Sequence, residues 1–158
     1  MNGLKMLLLV VVIIAVSPTN GQVYFTKKAY DEGMAILVSG EGATHKVSAS
    51  EVYIEYQKNG VAWEEKYSKK IRFLVGVVQS IGRDIYGQRN LLLQAHKPYK
   101  NLDHWETMEI MYPETLPDYL KQELASYKVG QTVEILVQFR NDPSTSDAVY
   151  YIEESNKK

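Results

Sequence analysis

The stretch "SASEVYIEYQKNGVAWEEKYSKKIRFLVGVVQSI" (Ser48–Ile81) decides the fold, because a helix pattern in it passes directly into a strand pattern. It begins with a capping box, in which the Ser48 hydroxyl accepts a hydrogen bond from the N–H of Glu51 and the glutamate reaches back. Large side chains then recur at helical spacing to about Lys69, which predicts one amphipathic helix. The stripe predicted to face the core is Ala49, Val52, Tyr56, Asn59, Trp63 and Tyr67.

A strand pattern follows at Ile71–Ile81, where β-branched and aromatic residues surround a single glycine, Gly76. Glycine weakens a strand but permits a sharp bend or a close backbone contact, as at the corner of a small barrel. Four more strands and one helix are predicted beyond it: Leu91–His96, Glu106–Tyr112, a helix within 113–131, Thr132–Arg140 and Ala148–Glu154.

Five strands with one helix between the third and the fourth is the layout of an OB-fold, a small Greek-key barrel. The predicted fold class is therefore mainly β: a five-stranded OB-fold barrel preceded by an amphipathic α-helix. A split sheet-plus-helix sandwich is the alternative. In the barrel, Gly76 lets the first strand curve, and Asn59 is expected to hydrogen-bond barrel backbone from the middle of the buried stripe. Gly60 is expected to let the helix come close, and Trp63 to seal the contact.

The first residues are typical of a secretory signal peptide. Lys5 precedes the apolar run Met6–Val16, which has about half the length that a membrane-spanning helix needs. Cleavage is expected after Gly21, with Ser17 as the second choice and an uncleaved anchor as the alternative. No cysteine follows the run, which excludes a lipid-anchored bacterial form. The predicted domains are a signal peptide at 1–21, an extension at 22–47 with one strand at Met34–Gly40, an OB-fold domain at 48–155 and a polar tail at 156–158.

The net charge and the absence of cysteine limit the classes of binding partner and the cellular compartment that we expect. The chain has 158 residues and a net charge of −1, and removing 1–21, which holds one lysine and no acid, makes it −2. Proteins that bind phosphate backbones usually carry a basic excess, so this balance argues against a nucleic-acid partner. A secreted domain without cysteine must rely on its core alone, which favours a periplasmic or secreted bacterial protein. No membrane span is expected in the mature form.

No feature of the sequence predicts an enzyme. His45, His96 and His104 are scattered, and none has the spacing of a metal ligand. The chain has no nucleophile motif, phosphate loop or dinucleotide fingerprint. We therefore expect neither a catalytic residue, nor a metal, nor a cofactor.

The helix–strand stretch resembles the start of the tRNA_anti-like family of bacterial OB-fold proteins, and the resemblance extends over 48–154. The "YKVGQTVEILVQF" segment (Tyr127–Phe139) is similar to the family's Lys-x-Gly-Gln turn into its fourth strand. The chain departs from some members in lacking a lipobox cysteine and in having Trp63 where a small residue is common. The resemblance implies a small exported or surface-attached OB-fold of unknown biochemical role. The matching residues in the first stretch are Tyr56, Asn59, Lys66, Tyr67, Gly76, Val78 and Ile81.

OB-folds usually bind their ligands on the face of the second and third strands and with the loops that follow the first and fourth strands. We therefore expect the ligand site in these regions of the chain. The function predicted is an exported binding module that takes an envelope protein or a small ligand through the loops after the first and fourth strands. Single-stranded nucleic-acid or oligosaccharide binding on the face of the second and third strands is the alternative. The candidate ligand-binding residues are Arg83, Tyr86, Arg89, Gln94, His96 and Arg140.

Overall fold

The computed structural model describes residues 23–39, 46–98 and 104–153. The predicted signal peptide at 1–21 and the polar tail at 156–158 lie outside these ranges. Within them, no helix is both long and apolar enough to cross a bilayer.

The described residues form seven strands and four helices. They are β1 (Val23–Thr26), α1 (Lys27–Ser39), β2 (Lys46–Ser48), α2 (Ala49–Lys58), α3 (Gly60–Tyr67), β3 (Ile71–Arg83), β4 (Arg89–His96), β5 (Glu106–Met111), α4 (Asp118–Ser126), β6 (Thr132–Phe139) and β7 (Thr145–Ile152). The five predicted strands and the helix between the third and the fourth correspond to β3, β4, β5, α4, β6 and β7, with ends that differ by a few residues.

Strands β3 to β7 pair in a ring in which each has two neighbours. The order is β3–β4–β5–β7–β6 and back to β3, and only the β5–β7 pair is parallel. This ring does not fit the alternative of a split sandwich, and its five-stranded order with the helix after β5 is OB-like. The side chains that point into it are almost completely buried, among them Leu74, Val78, Leu91, Leu93, Met108, Ile110 and Val137.

Strand β3 joins the two halves of the ring. Its first part, to Val77, pairs with β6, and its second part, from Val77 to Arg83, pairs with β4. Gly76 lies at this change of partner, and α2 packs there so closely that a Cβ built on the glycine would lie 3.3 Å from the Cβ of Ala49. The same atom would lie 3.2 Å from the Cβ of Leu93 on β4. The absence of a side chain at Gly76 therefore allows the first residue of α2 to pack directly against β3.

The N-terminal residues add to the same sheet. β1 lies parallel to β7 and β2 lies parallel to β3. The predicted strand at Met34–Gly40 is wrong, because residues to Ser39 continue helix α1. Met, Ala and Leu in this run are among the best helix formers, and an apolar run this short does not distinguish a strand from a helix. A second, smaller core lies by β1 and consists of Val23, Phe25, Ile71, Leu136 and Val149.

The single helix predicted from Ser48 is in fact two helices, α2 and α3, which meet at Asn59. The backbone of Asn59 is extended (φ −161°, ψ 97°), and its Oδ1 accepts a hydrogen bond of 3.1 Å from the N–H of Ala62. Asn59 is exposed, so the predicted hydrogen bond to barrel backbone is wrong. The role predicted for Gly60 is wrong too, since a Cβ there would meet only the Tyr56 ring, at 3.5 Å. Asparagine favours helix caps over helix interiors, because its side chain competes for backbone groups.

An ion pair and a buried indole hold α2 against α3. Lys66 Nζ lies 3.0 Å from Glu55 Oε1. Burial alone would raise the pKa of Glu55, but hydrogen bonds from Tyr67 and Lys66 outweigh it and lower that pKa. Beneath the break lies Trp63, which is 1% exposed. Its indole packs against the rings of Tyr56, Tyr67 and Phe139.

The cap at Asn59 makes a testable contribution to stability. We expect Asn59→Ala to lower the free energy of unfolding by about 1 kcal/mol, the usual loss for an N-cap that accepts one backbone hydrogen bond. Asn59→Ser is the matched control, because its hydroxyl oxygen can accept the same hydrogen bond and it adds no charge at the C-terminus of α2, which Asn59 also caps. Urea unfolding measures both. An unchanged midpoint in the alanine variant, or an equal loss in both variants, would contradict the capping role.

Candidate functional site

The β3–β4 hairpin ends in a turn that is fixed by its own hydrogen bonds. Asp84 Oδ1 accepts from the backbone N–H groups of Tyr86 and Gln88, both at 2.9 Å. The Asp84 N–H donates to the carbonyl of Gln88 at 2.8 Å, and Gly87 adopts a positive φ of 82° that suits glycine. Arg83 donates from a guanidinium nitrogen to the Gly87 carbonyl at 3.0 Å. The turn is therefore preorganised.

This turn presents two large apolar side chains to solvent. Ile85 is 91% exposed and Tyr86 is 87% exposed. Single exposed apolar residues are ordinary, but two neighbours at the tip of a fixed turn form an apolar projection. We call Ile85 and Tyr86 the hairpin tip.

A groove of about 370 Å³ runs between the stem of this hairpin and helix α4. Three cationic side chains line it: Arg83 and Arg89 from the two strands and Lys121 from the helix. The two arginines stand directly opposite each other in the antiparallel pair. The remaining lining is mostly apolar, and it consists of Ile81, Gly82, Asn90, Leu116, Leu124 and Ala125.

Two polar side chains on the outer face of β4 already have partners within the protein. Gln94 donates to Gln79 Oε1 at 2.8 Å, and Asn90 donates to Glu109 Oε1 at 2.8 Å. The predicted residue Gln94 therefore already has a partner on β3. Apart from Arg89 at the hairpin stem, no lysine or arginine projects from these two strands.

His96 stands at the far end of β4, away from the hairpin. Its ring stacks on Tyr53 of α2, with 6.0 Å between ring centroids and an interplanar angle of 15°. A hydrogen bond to Glu106 raises the pKa of the Tyr53 hydroxyl, with burial adding to the effect. This contact joins α2 to the ring and gives His96 a packing role.

Arg140 is held by an intramolecular carboxylate. Its Nε lies 2.9 Å and its terminal nitrogen 2.7 Å from the two oxygens of Asp147, which is 8% exposed. The hydrogen bond to Asp147 raises the pKa of the guanidinium. The neighbouring β6–β7 turn is closed by Asp142, whose carboxylate accepts from the N–H and hydroxyl of Ser144. Arg140 therefore forms a structural ion pair with Asp147, and it does not belong to the ligand site that is proposed below.

The structure thus brings together Arg83, Tyr86 and Arg89, and separates them from Gln94, His96 and Arg140. Sequence reasoning missed Ile85 and Lys121. An isoleucine in the middle of "GRDIYGQRN" was a signal for the first, because turns seldom carry large apolar residues. Nothing in the sequence indicated that Lys121 would face the hairpin. In the part of the chain that is described, no group of three or more acidic or histidine side chains could hold a metal ion.

The comparisons with known proteins add little to this geometry. Neither a protein-family model nor a curated protein matches the chain. Among solved structures, the chain is similar to a crystal structure named as a "putative nucleic acid-binding lipoprotein" from Klebsiella pneumoniae. The two are 13% identical with a TM-score of 0.40, and the match covers 66% of this chain and 86% of the other.

Proposed function

We propose that this protein is a non-enzymatic OB-fold binding module, exported to the periplasm or secreted, which contacts an envelope protein through the hairpin tip. The proposal includes a complete five-stranded OB barrel, kinship with the tRNA_anti-like family and cleavage of residues 1–21. The ring of β3 to β7 supports the first of these, and the residues of the 48–81 stretch support the second.

The hairpin tip is the observation that carries the proposal. Interface hot spots are large side chains, with tyrosine prominent among them, and they bind best when little conformational entropy is lost on association. The hydrogen bonds of Asp84 and Arg83 already fix the turn that holds Ile85 and Tyr86. The loop between β3 and β4 is also a usual recognition element of the OB-fold.

The charge on the β4–β5 face argues against the alternative of single-stranded nucleic acid. A nucleic-acid groove combines free cations with stacking aromatics along one track. On this face Glu109 adds a negative charge, and His96 is stacked within the protein. Arg140, which follows β6 and belongs to neither strand, is bound to Asp147. This face therefore offers few free cations to a phosphate backbone.

Removal of the hairpin tip tests the proposal. The mature protein, immobilised, is offered an envelope extract, and the retained proteins are identified by mass spectrometry. We expect the double variant Ile85→Ser, Tyr86→Ser to bind the specific partner roughly thirtyfold more weakly and to retain correspondingly less of it, since loss of a hot spot commonly costs about 2 kcal/mol or more. Its thermal midpoint should not change, because both side chains are exposed in the folded state.

The matched control removes exposed apolar surface elsewhere. Val61 is 70% and Val129 is 69% exposed, so Val61→Ser, Val129→Ser should retain the partner fully. Equal retention by the tip variant would contradict the proposal. A parallel measurement with single-stranded oligonucleotides at low salt should show no binding. Salt-dependent binding that Arg83→Ala, Arg89→Ala abolishes would favour the nucleic-acid alternative instead.

A further inference from the structure

The groove between the hairpin stem and α4 has an electrostatic arrangement that folding alone does not explain. Arg83 and Arg89 are direct cross-strand neighbours, and like charges in that position destabilise a sheet. Lys121 adds a third positive charge from a different element, and the described residues that line the groove include no carboxylate. Three cations therefore converge where an opposite charge is missing.

Two carboxylates on or beside the strands that carry the arginines are already engaged. Asp84, next to Arg83, accepts the two backbone hydrogen bonds that close the turn. Glu109 accepts from Asn90 on the outer face. Arg89 is half-buried, and neither its guanidinium nor the ammonium of Lys121 has an ion-pair or hydrogen-bond partner among the residues that the structure describes. Cations without a carboxylate partner keep their hydrogen-bond donors available to an anionic ligand.

The rest of the lining indicates what else the ligand must contain. Ile81, Leu116, Leu124 and Ala125 give the groove an apolar wall beside its cations. Its volume of about 370 Å³ falls within the range of small-molecule sites. A bare inorganic anion would leave the apolar wall in contact with water, whereas a neutral apolar molecule would leave the three cations uncompensated.

We propose that this groove binds a small amphipathic anion, a phosphate or carboxylate head group on an apolar body. The head group lies between Arg83, Arg89 and Lys121, where guanidinium groups can form paired hydrogen bonds with its oxygens. The apolar body lies along the wall formed by β3 and α4. The site is separate from the hairpin tip, so it can exist whether or not the tip binds a protein.

Dodecyl phosphate, used below its micelle concentration, is the probe that tests this site by calorimetry. We expect it to bind once per chain, and to bind roughly tenfold or more tighter than inorganic phosphate and than dodecylphosphocholine, which has the same tail and no net charge. The double variant Arg89→Gln, Lys121→Gln should weaken the probe roughly tenfold to a hundredfold, as expected for the loss of charge-assisted hydrogen bonds. Ile81→Ser should weaken dodecyl phosphate and leave inorganic phosphate unchanged.

Lys28→Gln, Lys58→Gln is the control, because it removes the same charge from exposed positions outside the groove and should bind normally. Equal binding of the phosphate and phosphocholine probes, or full binding by the Arg89→Gln, Lys121→Gln variant, would overturn the proposal. So would inorganic phosphate that binds as tightly as the dodecyl ester. Oligonucleotide binding lost in that variant, without dodecyl phosphate binding, would also overturn it and would indicate a nucleic-acid site.

The head group could belong to a free metabolite or to a membrane lipid, and vesicles distinguish the two sources. If co-sedimentation with phosphatidylglycerol vesicles, but not with phosphatidylcholine vesicles, accompanies dodecyl phosphate binding and is lost in Arg89→Gln, Lys121→Gln, the source is a bilayer. If the probe binds and the vesicles do not, the source is a free molecule. The Ile85→Ser, Tyr86→Ser variant should still bind dodecyl phosphate, which separates failure of this site from failure of the hairpin tip.

Discussion

Trp63→Ala is expected to lower the free energy of unfolding by about 3–5 kcal/mol, the usual loss for a large buried aromatic side chain. Trp63 is 1% exposed. Its ring lies 5.6 Å from Tyr67 and 5.8 Å from Phe139, centroid to centroid, so the substitution empties the contact between α3 and the ring of strands. Folded domains are commonly stable by about 5–15 kcal/mol, so the variant should unfold at a markedly lower urea concentration.

Trp63→Phe is the matched control for this result. The indole Nε1 is buried and has no hydrogen-bond partner among the described residues, so its removal sacrifices no hydrogen bond. Loss of an unsatisfied buried donor even offsets part of the cost of the smaller ring. We therefore expect the phenylalanine variant to lose less than half of what the alanine variant loses. Equal losses in the two variants would mean that the indole N–H, and not the packed volume of the ring, determines the contribution of Trp63 to the free energy of unfolding.

The periodicity of the sequence predicted the strands that form the ring, with ends that differ by a few residues. Apolar positions in the stretches that form β3, β4, β5, β6 and β7 are recognisable locally, because a buried strand needs them whatever its partners are. Helix α4 was marked by Pro117, by the apolar face Leu116, Leu120 and Leu124, and by Gly130 beyond its end, and those leucines are buried. These features depend on residues close together in the sequence, so they can be recognised without knowledge of the tertiary structure.

The break at Asn59 shows where periodicity misleads. A stripe at 100° per residue continued through Asn59 and Gly60, but the pattern does not say whether the helix remains continuous. The cap bond from Oδ1 to the Ala62 N–H decides that, and it takes Asn59 out of the stripe to the surface. An asparagine followed by a glycine inside a helix pattern is better interpreted as an end and a restart.

The candidate site was predictable only in part, because its residues meet through tertiary contacts. Arg83, Tyr86 and Arg89 belong to one hairpin, so sequence placed them together. Arg140 was unpredictable, since only the pairing of β6 with β7 brings it to Asp147. Lys121 likewise reaches the groove only because α4 packs below the hairpin stem.

Positive charges in this protein occur in two different environments, the Arg140–Asp147 pair and the groove. At the end of β6, the Asp147 carboxylate of β7 neutralises Arg140. On β4, Gln94 and Asn90 donate to other side chains. In the groove, the three cations find no carboxylate among the described residues of the lining. A nearly neutral protein can thus carry one locally cationic site, which total charge alone conceals.

Gly76→Ala is expected to lower the free energy of unfolding by about 1–3 kcal/mol, the usual cost of adding a methyl group to a full core. The new Cβ would lie 3.0 Å from Leu93 Cδ1, 3.2 Å from Leu93 Cβ and 3.3 Å from Ala49 Cβ. The Cδ1 methyl can rotate away, but the two Cβ atoms are fixed to β4 and to α2. Either α2 or the strand must therefore shift, and Gly76→Val should be worse than Gly76→Ala.

A double-mutant cycle can test whether this cost arises from the contact between Gly76 and Ala49, the first residue of α2. Ala49→Gly removes one of the two fixed atoms at the first residue of α2, where a glycine disturbs the helix less than it does in the interior. We expect the loss in Gly76→Ala, Ala49→Gly to be smaller than the sum of the two single losses, as in contacting pairs. Gly82→Ala is the control on the same strand, because its Cβ meets only Asn90 Oδ1, at 4.0 Å, and should cost little. Additive losses in the cycle would mean that Gly76 serves the bend of β3 and not the approach of the helix.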